Sequence, residues 1–229
     1  EWVHASLREH LIARVPGAER AALHREAADA LEVRAGAEDV QAERAAHLHG
    51  AGAVDAACEA MIEACAWSSR RGEEAERERR AERLLSWART DAHRARAHAE
   101  LAHVAVGARD LERAEAHLAE ARACAAGSAR PWVAFRETQV ATFARDAERV
   151  ERAAREALSL AREEGDAEVE TLALGALGLA ARRRGDPDDA RACFEACAAR
   201  ARARGDLVTE ARATTHLGNL APTESLPLF

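Results

Sequence analysis

Apolar residues recur at intervals of three and four along most of the chain, which is the spacing of an amphipathic α-helix rather than of a β-strand. One such stripe consists of Ala190, Cys193, Phe194, Cys197 and Ala201. Two further stripes are Val150, Ala153, Ala154, Ala157, Leu158 and Ala161, and Leu111, Ala114, Leu118 and Ala121. The pattern predicts a series of helices whose apolar faces are narrow and built of small residues, so that neighbouring helices can approach closely.

The breaks between these helices follow a period of 20 residues, marked by Asp146, Asp166, Asp186 and Asp206. Three of these aspartates directly follow a glycine: Gly165, Gly185 and Gly205. Glycine just past a helix end adopts the left-handed conformation at little cost, and aspartate before a helix accepts its free N–H groups. The period therefore predicts helix, tight turn and helix, with two antiparallel helices in each unit of about 40 residues.

The best-formed unit contains Leu177-Gly178, Gly185-Asp186, Ala190, Phe194 and Cys197. This pattern resembles the tetratricopeptide repeat, with cysteine in place of the last alanine, and the resemblance covers about residues 53–220. A pair of helices cannot bury its stripe alone, so neighbouring pairs must stack. The resemblance implies an all-α fold: a right-handed α-solenoid of antiparallel helix pairs, with roughly eleven helices. Leu217-Gly218-Asn219 begins a further unit that is not completed.

Residues 1–52 lack this period and predict three helices, at Trp2–Arg14, Ala18–Arg34 and Glu38–His49. Their order and the segment Ala45-Ala46-His47-Leu48 resemble the end of the winged-helix part in multidomain bacterial signalling ATPases. That family includes large ATP-dependent LuxR-type regulators and ATPase modules linked to Ser/Thr kinases. The resemblance implies a helical junction over 1–52 and an ATPase upstream of Glu1, so that the chain is a piece of a longer protein. Residues 221–229 predict a loose tail.

The composition excludes several classes of protein. The chain of 229 residues has a formal net charge of −7, no lysine and only 3% aromatic residues. An acidic balance without stacking platforms argues against nucleic-acid binding. No stretch is long and apolar enough to span a membrane. Five cysteines without a signal-peptide pattern predict reduced thiols and a cytoplasmic protein.

No catalytic or metal-binding constellation is present in the sequence. Cys193 and Cys197 share a helix face but have no second pair of ligands, so we expect them to pack in the core. The histidines are too dispersed to form a site, and no serine lies in a nucleophile elbow. A phosphate-binding loop is also lacking. We therefore expect a segment that is not an enzyme and that needs no cofactor.

The candidate binding residues lie on the first helix of each pair, which lines the concave side of such a solenoid. They are Arg96, His103, Arg136, Gln139, Phe143, Arg182, Arg183, Arg212, Thr215 and Asn219. Arginine forks suit carboxylates, so a protein partner or an acidic peptide is the expected ligand. Alternatively, arginines near helix ends only complement the helix dipole, and the groove holds water and no ligand.

These observations predict a non-catalytic module for protein–protein interaction or sensing within a larger bacterial signal-transduction regulator. The alternative is a sensor of a small molecule or peptide that controls an upstream ATPase or kinase. A deep apolar pocket ringed by a few polar groups would favour the sensor, whereas a shallow polar channel would favour a protein partner. The sequence leaves the oligomeric state open, because an incomplete last repeat exposes an apolar face.

Overall fold

The computed structural model describes residues 14–34 and 40–220, which form eleven α-helices and no strand within those ranges. The helices are α1 (Gly17–Glu32), α2 (Gln41–Gly50), α3 (Val54–Arg71), α4 (Glu74–Trp87), α5 (Asp91–Gly107), α6 (Leu111–Cys124), α7 (Ala129–Phe143), α8 (Ala147–Glu164), α9 (Ala167–Arg184), α10 (Pro187–Ala203) and α11 (Leu207–Gly218). The all-α prediction is confirmed. Of the predicted first helix only Arg14 is described, and the predicted tail 221–229 lies outside the described residues.

The helices stack as a solenoid of consecutive antiparallel pairs. Each helix packs against the next one along the chain, and α3, α5, α7 and α9 also pack against one another in that order. These first helices of the pairs therefore form an inner layer, while α4, α6, α8 and α10 cover it from outside. The inner layer consists of the helices on which the sequence predicts the candidate binding residues to lie.

The periodic aspartates cap the helices as predicted. The carboxylates of the four periodic aspartates, Asp146, Asp166, Asp186 and Asp206, each accept a hydrogen bond from the backbone N–H three residues further on, at 2.9 to 3.1 Å. Asp110, which lies outside the period, caps α6 in the same way at 3.0 Å. A cap of this kind stabilises a helix by roughly 1 kcal/mol. The 20-residue period is thus the distance from one capped helix start to the next.

Most residues of the predicted stripes lie in the core, whereas Leu111 is exposed and Leu158 is half-buried. Ala114, Leu118 and Ala121 are buried on α6, and Ala190 and Phe194 are buried on α10. Cys197 is also buried, whereas Cys193 is only half-buried, with its thiol facing Asp189. Within the described ranges, no helix is long and apolar enough to cross a membrane.

Gly178 shows how closely the two helices of a pair approach. A Cβ atom at this position would lie 2.6 to 2.9 Å from three ring atoms of Phe194, whose side chain is fully buried. Gly175, three residues earlier on α9, has a wider gap, because its nearest atom would be the Cys197 thiol sulfur at 3.5 Å. Only the first contact is too short for a methyl group.

We therefore predict opposite effects for two substitutions on the same helix. Gly178→Ala should lower the free energy of unfolding by about 1–3 kcal/mol, because the core around Phe194 is overpacked. Gly175→Ala should leave it unchanged or raise it by up to about 1 kcal/mol, because alanine has the higher helix propensity. Urea unfolding of both variants checks this, and an equal loss in both would contradict the packing described here.

Candidate functional site

The inner helices border an open cavity of about 600 Å³ near the C-terminal end of the solenoid. Side chains from α5, α7, α9 and α11 form its walls, and residues of α8 and α10 reach it from the outer layer. The apolar part of the lining is Val106, Phe135, Phe143, Val150, Leu172, Leu179 and Phe194. Its volume lies within the range typical of small-molecule sites.

The charged residues that line this cavity are all arginines: Arg109, Arg145, Arg183 and Arg212. All four are exposed, and no aspartate or glutamate lines the cavity. Among the described residues, none of the four forms an ion pair with a carboxylate. The cavity is therefore a cationic site in a chain whose formal net charge is −7.

Two of these arginines adopt an unusual backbone conformation. Arg109 and Arg145 follow α5 and α7 and have φ angles of 63° and 60°, in the left-handed region. The corresponding turn after α9 has Gly185 at φ 80°, where no side chain is strained. A residue other than glycine in this region costs on the order of 1 kcal/mol or more. The cavity is thus bordered by two arginines where the fold itself favours glycine.

A buried ion cluster adjoins the cavity on the side of α5. Nε of Arg77 donates to Oε2 of Glu100 at 2.9 Å, and Nη2 of Arg136 donates to Oε1 of the same carboxylate at 2.9 Å. All three side chains are buried. Arg136 also donates to Oε1 of Gln139 at 2.8 Å, and Nδ1 of His103 lies 2.7 Å from that oxygen. A continuous polar chain therefore joins the cluster to the cavity, which His103 and Gln139 line.

The arginines determine the protonation of this cluster. Arg136 and Arg77 hold the pKa of Glu100 well below its ordinary value, despite the opposing effect of burial. Burial, together with Arg136 and Arg77, lowers the pKa of His103 to about 3. His103 is consequently neutral near pH 7 and donates through Nδ1 to Gln139. The positive charge of the cavity thus comes from its arginines alone.

Arg96 lies close to this cluster. Its guanidinium stacks over the ring of Trp132, with the carbon atom Cζ 4.1 Å from the ring centroid. Its Nη1 atom is buried and has no hydrogen-bond partner among the described residues. Burial lowers the pKa of Arg96, while Glu100 raises it. Arg77 and Arg136 thus contact one buried carboxylate, and Arg96 interacts with it electrostatically.

The structure separates the ten residues predicted from sequence into three groups. Those that line the cavity are His103, Gln139, Phe143, Arg183 and Arg212. Arg136 is buried in the ion cluster, and Arg96 is half-buried beside it with its guanidinium over Trp132. Arg182, Thr215 and Asn219 are exposed and do not line the cavity. Binding of a partner by this set stays a prediction.

Sequence reasoning missed Arg109 and Arg145. The signal was present, because Asp146 belongs to the 20-residue period but follows an arginine where the other members follow a glycine. Arg109-Asp110 repeats the same replacement one pair earlier. Arginine in place of glycine before the capping aspartate therefore identifies both residues that border the cavity in the left-handed conformation.

The buried cysteines pack in the core and are not reactive. Burial raises the pKa of Cys65 to about 12 and is the largest cause that raises the pKa values of Cys58 and Cys197 to about 11. These thiols are therefore protonated near neutral pH and are poor nucleophiles. The part of the chain that the structure describes contains no group of three or more His, Cys, Asp or Glu residues placed to hold a metal ion.

A solved structure shares this architecture. It is a Signal Transduction ATPase with Numerous Domains (STAND) protein with a tetratricopeptide repeat sensor, from Pyrococcus horikoshii. The match has a TM-score of 0.60 and 18% sequence identity, and it covers 77% of this chain and 28% of that protein. No family model matches the sequence, and no curated protein does. The likeness shows the fold: a solenoid of tetratricopeptide-like helix pairs.

We predict that Glu100→Gln destabilises the fold strongly. The variant leaves the buried Arg136 without a counter-charge and leaves Arg77 with only the more distant Glu74, 3.8 Å from its Nη1 atom. The loss should lower the free energy of unfolding by about 3–5 kcal/mol. A matched control is Glu164→Gln, whose carboxylate is 3.9 Å from Arg130 in a partly exposed pair. Denaturant unfolding should show a change within about 0.5 kcal/mol for this control. Equal effects of the two substitutions would contradict a buried ion cluster.

The lowered pKa of His103 predicts a pH dependence of stability. Its folded-state pKa of about 3 lies below the ordinary value of 6.5, so the unfolded chain binds the proton first as pH falls. The contribution of His103 to the free energy of unfolding is fully present above pH 6.5, and it declines as the pH falls from there towards 3. His103→Asn cannot titrate, although its amide can still donate to Gln139. Its unfolding free energy should therefore decline less than that of the parent chain between pH 7 and 4.5, and parallel curves would contradict this.

Proposed function

We propose that this chain is a non-catalytic sensing module of a larger signal-transduction regulator and that it binds its ligand in the cavity of the inner layer. The observation that carries the proposal is the cavity itself, about 600 Å³ in volume with an apolar floor at Phe135 and Phe194 and polar groups at its edge. This is the geometry that favours a small ligand over a flat protein surface.

The place of the cavity supports a sensing role. Its walls come from α5, α7 and α9, which belong to three successive pairs, and from α11, which follows them. A ligand that contacts all four would favour one curvature of the stack over another, because each pair contacts mainly its neighbours. Bending of the solenoid would then carry the signal towards an ATPase or kinase upstream of Glu1. Helices α1 and α2 would transmit it.

The similar structure supports the same function by analogy. In the Pyrococcus horikoshii protein, the tetratricopeptide repeats are described as a sensor attached to an ATPase. This chain spans 28% of that protein's length, so any ATPase activity would belong to other parts of the parent protein. A bacterial and cytoplasmic regulator of this kind is the setting that we propose.

A protein or acidic peptide partner is the second candidate. It is favoured by the last helix, α11, on which Leu207 and Val208 are 74% and 61% exposed. Apolar side chains that stand this far into solvent at the end of a helical stack are suited to cover by a further repeat or by a partner. The partner would then contact the end of the solenoid as well as its concave face.

The proposal is tested by filling the cavity. Ala176→Trp places a large side chain in the cavity wall, whereas Ala192→Trp places the same side chain on the exposed face of α10 as a control. A library of metabolites and short peptides is screened by thermal unfolding, since a ligand at 100 times its Kd stabilises by about 2.7 kcal/mol. True ligands should stabilise the parent chain and Ala192→Trp but not Ala176→Trp. Compounds that stabilise Ala176→Trp equally well would contradict a cavity site.

A further inference from the structure

We infer that the ligand of this cavity is a small organic anion: an apolar body that carries a carboxylate, sulfonate or phosphate group. The inference rests on the proposed function and identifies the class of ligand. Its first support is charge. All four charged residues of the lining are arginines, namely Arg109, Arg145, Arg183 and Arg212, and no carboxylate lines the cavity beside them.

Many arginines elsewhere on the solenoid are paired with carboxylates, unlike the four that line the cavity. Arg149, one helix away, binds Glu115 and Glu137, and Arg184, next to Arg183, binds Glu151 and Asp189. Many arginines on the solenoid are thus neutralised by neighbouring helices. Those around the cavity are not paired with any carboxylate in the described ranges, although acidic residues are in excess in the chain. Their guanidinium groups are free to bind an external anion in bidentate fashion.

The backbone gives a second, independent support. Arg109 and Arg145 stand in the left-handed conformation, at φ 63° and 60°, where glycine stands in the turns at Gly72, Gly165, Gly185 and Gly205. Turn formation alone would favour glycine at both places. Two strained arginines that both border one cavity indicate that their side chains serve binding.

The floor of the cavity defines the rest of the ligand. Phe135 and Phe194 are buried, and Leu172 and Leu179 are half-buried beside them, so the interior offers apolar contact and few polar groups. A bare inorganic anion would leave these apolar side chains in contact with water. A long acidic peptide would need cationic partners further along the inner layer, but Arg136 there is already bound by Glu100 and the Arg96 guanidinium is stacked on Trp132. A compact molecule with one anionic end satisfies both parts of the site.

The test uses two fluorescent probes with the same apolar body. They are 1-anilinonaphthalene-8-sulfonate, which carries a sulfonate, and N-phenyl-1-naphthylamine, which is neutral. The intact chain should bind the sulfonate at least tenfold more tightly than the neutral probe. The double variant Arg109→Gln/Arg145→Gln should weaken sulfonate binding tenfold or more and change binding of the neutral probe less than twofold. Arg191→Gln, on the exposed face of α10, is the matched control and should change neither.

The glycine variants separate binding from folding. Arg145→Gly relieves the left-handed strain and should raise the melting temperature of the chain while it weakens sulfonate binding severalfold. This combination excludes the explanation that lost binding results from a damaged fold. If Arg145 only complements the C-terminal end of α7, sulfonate affinity will not change, and the inference is then wrong.

The Ala176→Trp variant distinguishes failure of this inference from failure of the proposed function. If the two probes bind with equal affinity and Ala176→Trp blocks both, the cavity is a binding site but not one for anions. If Ala176→Trp affects neither probe, the cavity is not the site, and both the inference and the proposed function are wrong.

Discussion

The close approach of small-residue helix faces is the constraint on which this structure depends. The apolar stripes are built largely of alanine, so a helix buries enough surface only if its neighbours come very near. The packing of Phe194 against Gly178 shows the limit of that approach, because even a Cβ atom would be too close. Phe194 fills the space opposite this glycine and also reaches the cavity, which Phe135 and Leu179 line from the inner helices.

The ion cluster around Glu100 imposes a second constraint, on how successive pairs are aligned. Arg77 belongs to α4, Glu100 to α5 and Arg136 to α7. One carboxylate therefore joins a helix from each of three successive pairs. Alanine faces can slide along one another at little cost, whereas a buried ion pair is stable only in one geometry. We interpret the cluster as the element that fixes the axial position of α5 relative to α7. Through Gln139 and His103, the same cluster holds one wall of the cavity.

Periodicity in the sequence was sufficient to predict the helices, their caps and the stacked pairs, because these depend on residues within about 20 positions of each other. The ion cluster was not predictable in this way. Glu100 is 23 residues from Arg77 and 36 from Arg136, so their contact depends on the rotation and offset of whole helices. The sequence therefore predicts that Arg96 and Arg136 lie on inner helices, but it does not predict how far their side chains are buried. Arg109 and Arg145 were not predictable from helix periodicity for a different reason, since it does not show which side chain of a turn without glycine borders the cavity.

The most direct measurement is a crystal structure of the chain grown with 8-bromooctanoate, in which the anomalous signal of bromine locates the ligand. The account predicts that the bromine end lies against Phe135 and Phe194 and that the carboxylate faces Arg109 and Arg145. It also predicts that Arg145→Gly crystals grown in the same way show a weaker bromine signal at that position. Bromine bound only elsewhere on the solenoid, or in the cavity with the carboxylate turned away from the arginines, would contradict the account.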